Sequence, residues 1–379
     1  MANITLHEMT KTPFVLGVFS RLKASGLALS NFYNLTPGSP ATEVSPRRSL
    51  AYDLFDNTRT MAQGRAPYVG PAKIAPKKVG TATAHALRMY EAIPLPYERI
   101  YQGRALGQQI GSIDANGQAY VGRQQKFGAQ RMANAVEFMV SRMFRGGFSL
   151  KLDGEEMQLN ELGDGTVDVV YDIPANNLNQ ANGIIAVDWD EANAPIVTDL
   201  LQINQASEAL TGYVQKHIWI NSTTYGYLLG NDQLRSVRGT ANRLFDTQTG
   251  NQIQTTGDAR ESGYTVIFGA CPQFVWHIYD GVSHVGTEVD SDSSNLSMFI
   301  PDEKVLITPE PEPGGWYGMA VCSEPVMETD QGNVIYPNGL HAWRYPTNDP
   351  PGMELRILHN LVPLLYNPKA LYWLDCKVS

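Results

Sequence analysis

The sequence predicts an α+β protein, because one long helical period stands among many short strand-like runs and two proline-rich regions without a helical period. Over residues 122–145 (GRQQKFGAQRMANAVEFMVSRMFR), Met132, Val136, Met139 and Met143 recur at i, i+4, i+7 and i+11, a single apolar stripe. After Gly147 come short runs rich in β-branched and aromatic residues, separated by turn residues. Residues 1–50 and 51–120 carry polar residues and prolines in a pattern that excludes long helices.

Residues 1–50 begin with an apolar segment, Phe14 to Leu22, and then turn polar and Ser/Pro-rich (SNFYNLTPGSPATEVSPRRS). Such a stretch has little to bury by itself and reads as an arm lying on another surface. Residues 51–120 hold Pro67, Pro71, Pro76, Pro94 and Pro96, with extended pieces between them, such as the one from Thr83 onward. A structureless loop of that length is unusual inside a compact domain, so an extended two-stranded excursion explains it better. In the helix of 122–145, Arg123, Gln130, Asn134, Glu137 and Ser141 lie opposite the apolar stripe, and Phe127 and Phe138 project away from it. Gly146 and Gly147 stop this helix.

Strands are predicted at 148–154 (FSLKLDG) and 167–174 (VDVVYDIP). A second helix is predicted over 195–212, with Pro195 in its first turn, Ile196, Leu200, Ile203 and Leu210 as its stripe and Gly212 as its C-cap. Further strands are predicted at 216–220, 264–268, 274–279 and 304–308, with a stiff connector at 309–315 (PEPEPGG). From 353 to 378 the tail alternates strand and turn, and no internal repeat is present.

Length and composition bound the function. A chain of 379 residues can hold two domains, and 43% hydrophobic with 18% charged residues fits substantial cores. A net charge of −9 excludes a general nucleic-acid-coating protein, yet suits a container whose wall repels packed phosphate. Cys271, Cys322 and Cys376 form neither a CxxC pair nor a disulfide framework and are expected to be buried thiols. No apolar run reaches the roughly 18 residues of a membrane span, and no secretory signal opens the chain.

Signatures of catalysis are missing from the sequence: there is no GxxxxGK[ST], GxGxxG, HExxH or GxSxG. His277 and His284 bracket Asp280 and Ser283 (HIYDGVSH), which a hydrolase could use, but the segment reads more simply as a strand entering a turn. His217 and His359 alternate with apolar neighbours as structural strand histidines do. The acids Asp188, Asp190 and Glu191, like Asp290 and Asp292, lack the further ligands and closing glutamate of a calcium loop and read as surface turns. No cofactor or metal is expected. Lys73, Lys77 and Lys78, set among prolines without stacking aromatics, read as a contact for an acidic surface on a neighbour.

Several segments, in order, resemble the lambda-type major capsid proteins of tailed phages, the major capsid protein E family with the Hong Kong 97-like fold. TPFVLGVF (12–19) is similar to that family's aromatic arm segment, and APYVGPAKIAPKKV (66–79) to its extended loop. GGFSLKLDGEE (146–156) follows the long helix as the family's Gly-aromatic strand does, and FIPDEKVLITP (299–309) resembles its Leu-Pro-Asp…Val-Leu strand. The closing run RYPTNDPPGMELRILHNLVPLLYNPKALYWLDCKV is similar to the family's last strands.

The resemblance implies an N-terminal arm at 1–50, an extended β-hairpin loop at 51–120, a peripheral domain at 121–190 with spine helix 122–145, an axial domain at 191–345, and C-terminal strands at 346–379 returning to the peripheral domain. It implies a non-enzymatic virion protein, assembled in the host cytoplasm into hexamers and pentamers of an icosahedral head enclosing double-stranded DNA. Its partners would be copies of itself, a separate scaffold protein, a portal and a decoration or cement protein, with no membrane involved. Contact between subunits is expected through Phe14, Phe19, Pro67, Tyr68, Lys73, Lys77, Lys78, Phe127 and Phe138. Two other readings compete: an encapsulin-like compartment shell, and a soluble hydrolase built on the His277–His284 segment.

Overall fold

The computed structural model describes residues 28–55, 80–101, 115–153, 156–178, 185, 187–234, 264–266, 271–284, 296–327, 334–337, 339–348 and 351–377. A short helix, Ala28–Phe32, leads into strands β1 (Glu43–Ser45), β2 (Ser49–Leu54), β3 (Gly80–His85) and β4 (Leu87–Pro96). A one-turn helix, Tyr97–Tyr101, precedes the long helix Ala115–Phe144, and β5 (Gly147–Asp153), β6 (Glu156–Asn160) and β7 (Val167–Val170) follow. Next come the short helix Ala175–Leu178, the helix Ile196–Thr211, β8 (Gln215–Ile220) and the helix Ser222–Gly230. The remainder is β9 (Tyr264–Val266), β10 (Val275–Ile278), β11 (Val282–His284), β12 (Leu296–Met298), β13 (Lys304–Pro309), β14 (Tyr317–Cys322), β15 (Val326–Met327), β16 (Val334–Ile335), β17 (His341–Asn348), β18 (Pro351–Leu365) and β19 (Tyr372–Asp375). The α+β class follows directly.

The long helix has 30 residues, about 45 Å at 1.5 Å per residue, and starts seven residues before the predicted 122. Its first turns contain two glycines and no strong apolar period, so packing supplies what propensity lacks. Val121 and, from the Tyr97–Tyr101 helix, Ile100 are fully buried in the same core. The predicted stripe of Met132, Val136, Met139 and Met143 is buried. Gly128 marks the close approach to the sheet, since a β-carbon there would collide with Ile93 Cδ1 of β4. The helix ends where predicted: Gly146 and Gly147 have φ of +103° and +148°, values that disfavour any other residue.

Two five-stranded sheets organise the cores. In the first, β18 is the central strand. On one edge β4 runs antiparallel to it from Leu87↔Leu361 to Pro96↔Gly352. On the other edge, the first half of β18 pairs with β17 and the second half with β14. Strand β1 extends the sheet by pairing parallel to β14. In β4, Leu87, Met89, Ile93 and Leu95 are buried with period two, while Pro94 and Pro96 are tolerated because β4 lies at the sheet edge. The region 51–120 is therefore mixed. Its β2–β3 pair is an antiparallel ladder from Ser49↔His85 to Leu54↔Gly80, as an extended two-stranded excursion requires, whereas β4 and the Tyr97–Tyr101 helix pack into the chain's own core.

The second sheet has the order β19-β13-β8-β10-β9, with only β8 and β10 parallel. Its core gathers Ile196, Leu200 and Ile203 of the Ile196–Thr211 helix with Ile218, Ile220, Trp276, Ile278, Val305, Ile307 and Leu374. Gly212 caps that helix in the left-handed conformation (φ +78°), donating to Glu208 O. The expected stripe breaks at Leu210, which is 57% exposed. In the last turn the buried positions belong to Ser207 and Thr211 instead, whose hydroxyls join Gln215 and Tyr213 in a closed hydrogen-bond set. The C-terminal run is divided between the sheets: β18 belongs to the first, while β19 pairs with β13 in the second. Strand 167–174 is shorter than predicted, ending at Val170 within the three-stranded sheet β6-β5-β7.

Residues 28–50 also depart from expectation. They lie on their own chain, because Leu29, Tyr33 and Leu35 enter the larger core and β1 joins the first sheet. Residues 1–27 lie outside the described residues.

Candidate functional site

The residues that hold the two sheets together are polar groups buried among aromatics, and they meet at residues 28–35. Glu137, on the long helix, is fully buried and accepts hydrogen bonds from three donors. Leu29 N donates to Oε1 (2.8 Å), Ser30 N to Oε2 (2.7 Å), and Tyr279 Oη, just past β10, to Oε1 (2.7 Å). Burial raises the carboxyl pKa above its ordinary value, and the donors from Ser30, Tyr279 and Leu29 oppose that rise. One side chain thus ties the Ala28–Phe32 helix, the long helix and the second sheet.

Tyr33 completes the joint. Its hydroxyl meets Thr308 Oγ1 of β13 at 2.6 Å and accepts from Trp219 Nε1 of β8 at 3.1 Å, while its carbonyl accepts from Tyr317 Oη of β14 at 2.9 Å. The ring packs on Phe144, Trp316 and Tyr317. At the end of the long helix, Arg142 is buried beneath the Phe138 ring, 4.5 Å from guanidinium to centroid, and donates to Glu161 and to Ser297 of β12. Burial lowers its pKa to about 10.

Beside Phe32, His217 Nδ1 and His277 Nε2 are 3.0 Å apart, and His217 Nε2 is 2.9 Å from Glu310 Oε2. A carboxylate only accepts, so His217 Nε2–H donates to Glu310 and His217 Nδ1 accepts from His277. Burial holds both imidazoles below the usual range, with His277 at about 3. Trp219 stacks on His277 at 4.2 Å, and the Phe32 ring meets both histidines edge-on. Asp280 accepts from Ser222 N instead, so His277 and Asp280 serve different contacts. His284 lies on β11, in a separate two-stranded sheet. Among the described residues no group of three or more His, Cys, Asp or Glu could hold a metal, and no helix is long and apolar enough to cross a membrane. The three cysteines are buried free thiols.

Of the expected contact residues, Phe14, Phe19, Pro67, Tyr68, Lys73, Lys77 and Lys78 lie outside the described residues. Phe127 stands on the surface of the long helix, 61% exposed. Phe138 is only 3% exposed and belongs to the chain's own core. Two residues assigned to the wet face, Glu137 and Ser141, are buried as well. Residues 28–35 cover the far side of the helix there, a layer from about a hundred positions earlier that helical periodicity cannot reveal. One signal for Glu137 was present: it is the only carboxylate in the long helix and sits in the apolar run AVEFMV. Tyr33, Arg142 and Tyr279 carried no comparable mark.

No family model matches the sequence, and no curated protein matches it. Solved structures do match, along almost the whole chain. A phage-related protein of Bordetella bronchiseptica RB50 aligns with a TM-score of 0.51 at 12% identity, covering 98% of this chain and 99% of its own. A prophage protein of Escherichia coli CFT073 assigned as a capsid protein aligns with a TM-score of 0.52 at 13% identity, covering 96% and 98%. The fold is the Hong Kong 97-like fold of tailed-phage major capsid proteins.

Proposed function

We propose that the chain is a structural subunit that assembles with copies of itself into the icosahedral head of a tailed phage, as hexamers and pentamers around double-stranded DNA. The observation that carries this reading is the end-to-end agreement in fold with the E. coli prophage protein assigned as a capsid protein. Sequence supports it further: the acidic balance suits a wall along which duplex slides. In this reading the segment before residue 28 is the arm and residues 56–79, carried on the β2–β3 ladder, reach over a neighbour. Phe14, Phe19, Pro67, Tyr68, Lys73, Lys77, Lys78 and the exposed Phe127 then lie between subunits, while the buried Phe138 does not. The body around β18 and the long helix is the peripheral domain, and the body around β8 and β10 is the axial domain. Scaffold, portal and decoration protein act as separate partners. Interfaces of this obligate kind bury roughly 2,000–5,000 Å².

Electron microscopy of the purified protein tests the reading: closed shells are expected, and a monomer at all concentrations refutes it. Nucleic acid in the lumen of particles from infected cells separates a phage head from a compartment loaded with protein. Deleting residues 66–79 should leave soluble subunits that fail to close stable shells.

A further inference from the structure

Two segments near opposite ends of the long helix carry charge of one sign. Residues 117–134, its first half, contain Arg123, Lys126 and Arg131 and no carboxylate. Residues 161–172, the turn into β7 and the chain through it, contain Glu161, Asp164, Asp168 and Asp172 and no cation. On the helix, Arg123, Phe127 and Arg131 are exposed at i, i+4 and i+8, so a stripe runs cation, ring, cation over about 12 Å. Phe127 is 61% exposed beside Lys126, and Arg131 reaches Glu91 of β4 at 3.3 Å yet stays 58% exposed.

The β7 segment has the complementary pattern. Burial alternates from Asp168 to Ile173, with Val169, Tyr171 and Ile173 buried, so Asp168, Val170 and Asp172 stand outward together. They run acid, apolar, acid over about 13 Å. Leu162 widens the apolar centre. A β-carbon on Gly147 would lie 3.3 Å from Leu162 Cδ1 and 3.2 Å from Val170 Cα, and the two residues are 44% and 46% exposed. Glu161 is engaged with Arg142 and Arg145, and Asp168 accepts from Ser149 Oγ, whereas Asp164 and Asp172 face solvent. Lys151 is the one cation in the strands of this three-stranded sheet.

We infer that the Arg123–Phe127–Arg131 stripe of one copy packs on the Asp168–Val170–Asp172 face of a second copy. The inference rests on the shell-subunit reading and names a contact within it. Each triad has like charges at its two ends, so spacing and sign match in either direction. From Phe127 to Phe144 the helix runs about 25 Å, and Val170 pairs with Gly147 beyond that end, so one chain does not close the contact on itself. Each copy therefore gives one patch and receives the other, a heterologous contact that closes into rings. Nucleic acid fits the stripe less well, because phosphate offers Phe127 nothing to pack against.

Reversing charges tests the inference. Arg123→Glu with Lys126→Glu, and separately Asp168→Lys with Asp172→Lys, should each raise the protein concentration needed for particles about tenfold, with thermal unfolding of the subunit unchanged. All four changes together should return it to within about threefold of the unmodified chain. Where loss of the Ser149 partner lowers the unfolding midpoint, Asp172→Lys alone replaces its pair. Assembly unaffected by either reversal, or a combination no better than the worse pair, overturns the contact. Failure of the unmodified chain to assemble overturns the shell reading instead. The triad centres supply a second test, the native cysteines being buried. On oxidation of particles, a chain with both Phe127→Cys and Val170→Cys should give disulfide-linked multimers, and chains with either change alone should stay unlinked. No linkage in the doubly changed chain, or equal linkage in a singly changed one, likewise overturns the contact.

Discussion

The two halves of the long helix belong to one continuous helix and live in different surroundings. From Val121 to Arg131 the helix has sheet on one side and solvent on the other, and its polar face is wet. From Met132 to Phe144 it has β-structure on one side and residues 28–35 on the other, and Glu137, Ser141 and Arg142 are buried with the methionines. An amphipathic pattern therefore states which face must be covered. It does not state that the other face is bare.

The strongest test of that contrast is Glu137→Ala. It leaves Leu29 N, Ser30 N and Tyr279 Oη without their acceptor, and buried unpaired donors cost about 1–3 kcal/mol each. A loss of about 3 kcal/mol or more in denaturant unfolding is expected, with new protease cleavage near residues 28–35. Loss below about 1 kcal/mol would show that the joint is not closed.

Acid should act on the same cover from its other side. His217 and His277 have folded pKa values below their ordinary 6.5, so below about pH 6.5 the unfolded chain takes up protons that the folded chain refuses. Stability then falls with pH by up to about 1.4 kcal/mol per unit for each histidine, and for His277 the fall continues to about pH 3. Glu310, held low by Lys216 and His217, adds a loss at the acid end, while Glu137, with its raised pKa, is least costly there and opposes it. A pH series of unfolding midpoints should slope downward into acid, and His277→Gln should flatten it.

At the border of the halves, Gly128→Leu forces a side chain against Ile93 and should cost about 1–3 kcal/mol. The smallest effect belongs to the wet half: Phe127→Ser should change subunit stability by less than about 0.5 kcal/mol. Reduced assembly with unchanged unfolding would separate a surface role from a packing role.

What could be read in advance followed from distance along the chain. Met132, Val136, Met139 and Met143, the Gly146–Gly147 stop, and the Pro195 and Gly212 ends of the second helix are set by neighbours within a few residues, and the sequence displays them. The burial of Glu137 by residues 28–35, the entry of β4 into the sheet beside β18 and the pairing of β19 with β13 depend on partners 65 to 274 positions away. Phe127 and Phe138 show the same limit, since both leave the stripe and only the first reaches solvent.

Strand β18 runs for 15 residues, about 50 Å, bonded along both edges. A pull along its axis would load those ladders in shear, so the hydrogen bonds would share the force and yield together rather than unzip one by one. For a wall under outward load, such a strand works as a tie-rod: its strength grows with the length of the ladder beside it, and a proline that breaks the middle of that ladder should lower the rupture force far more than it lowers the melting temperature.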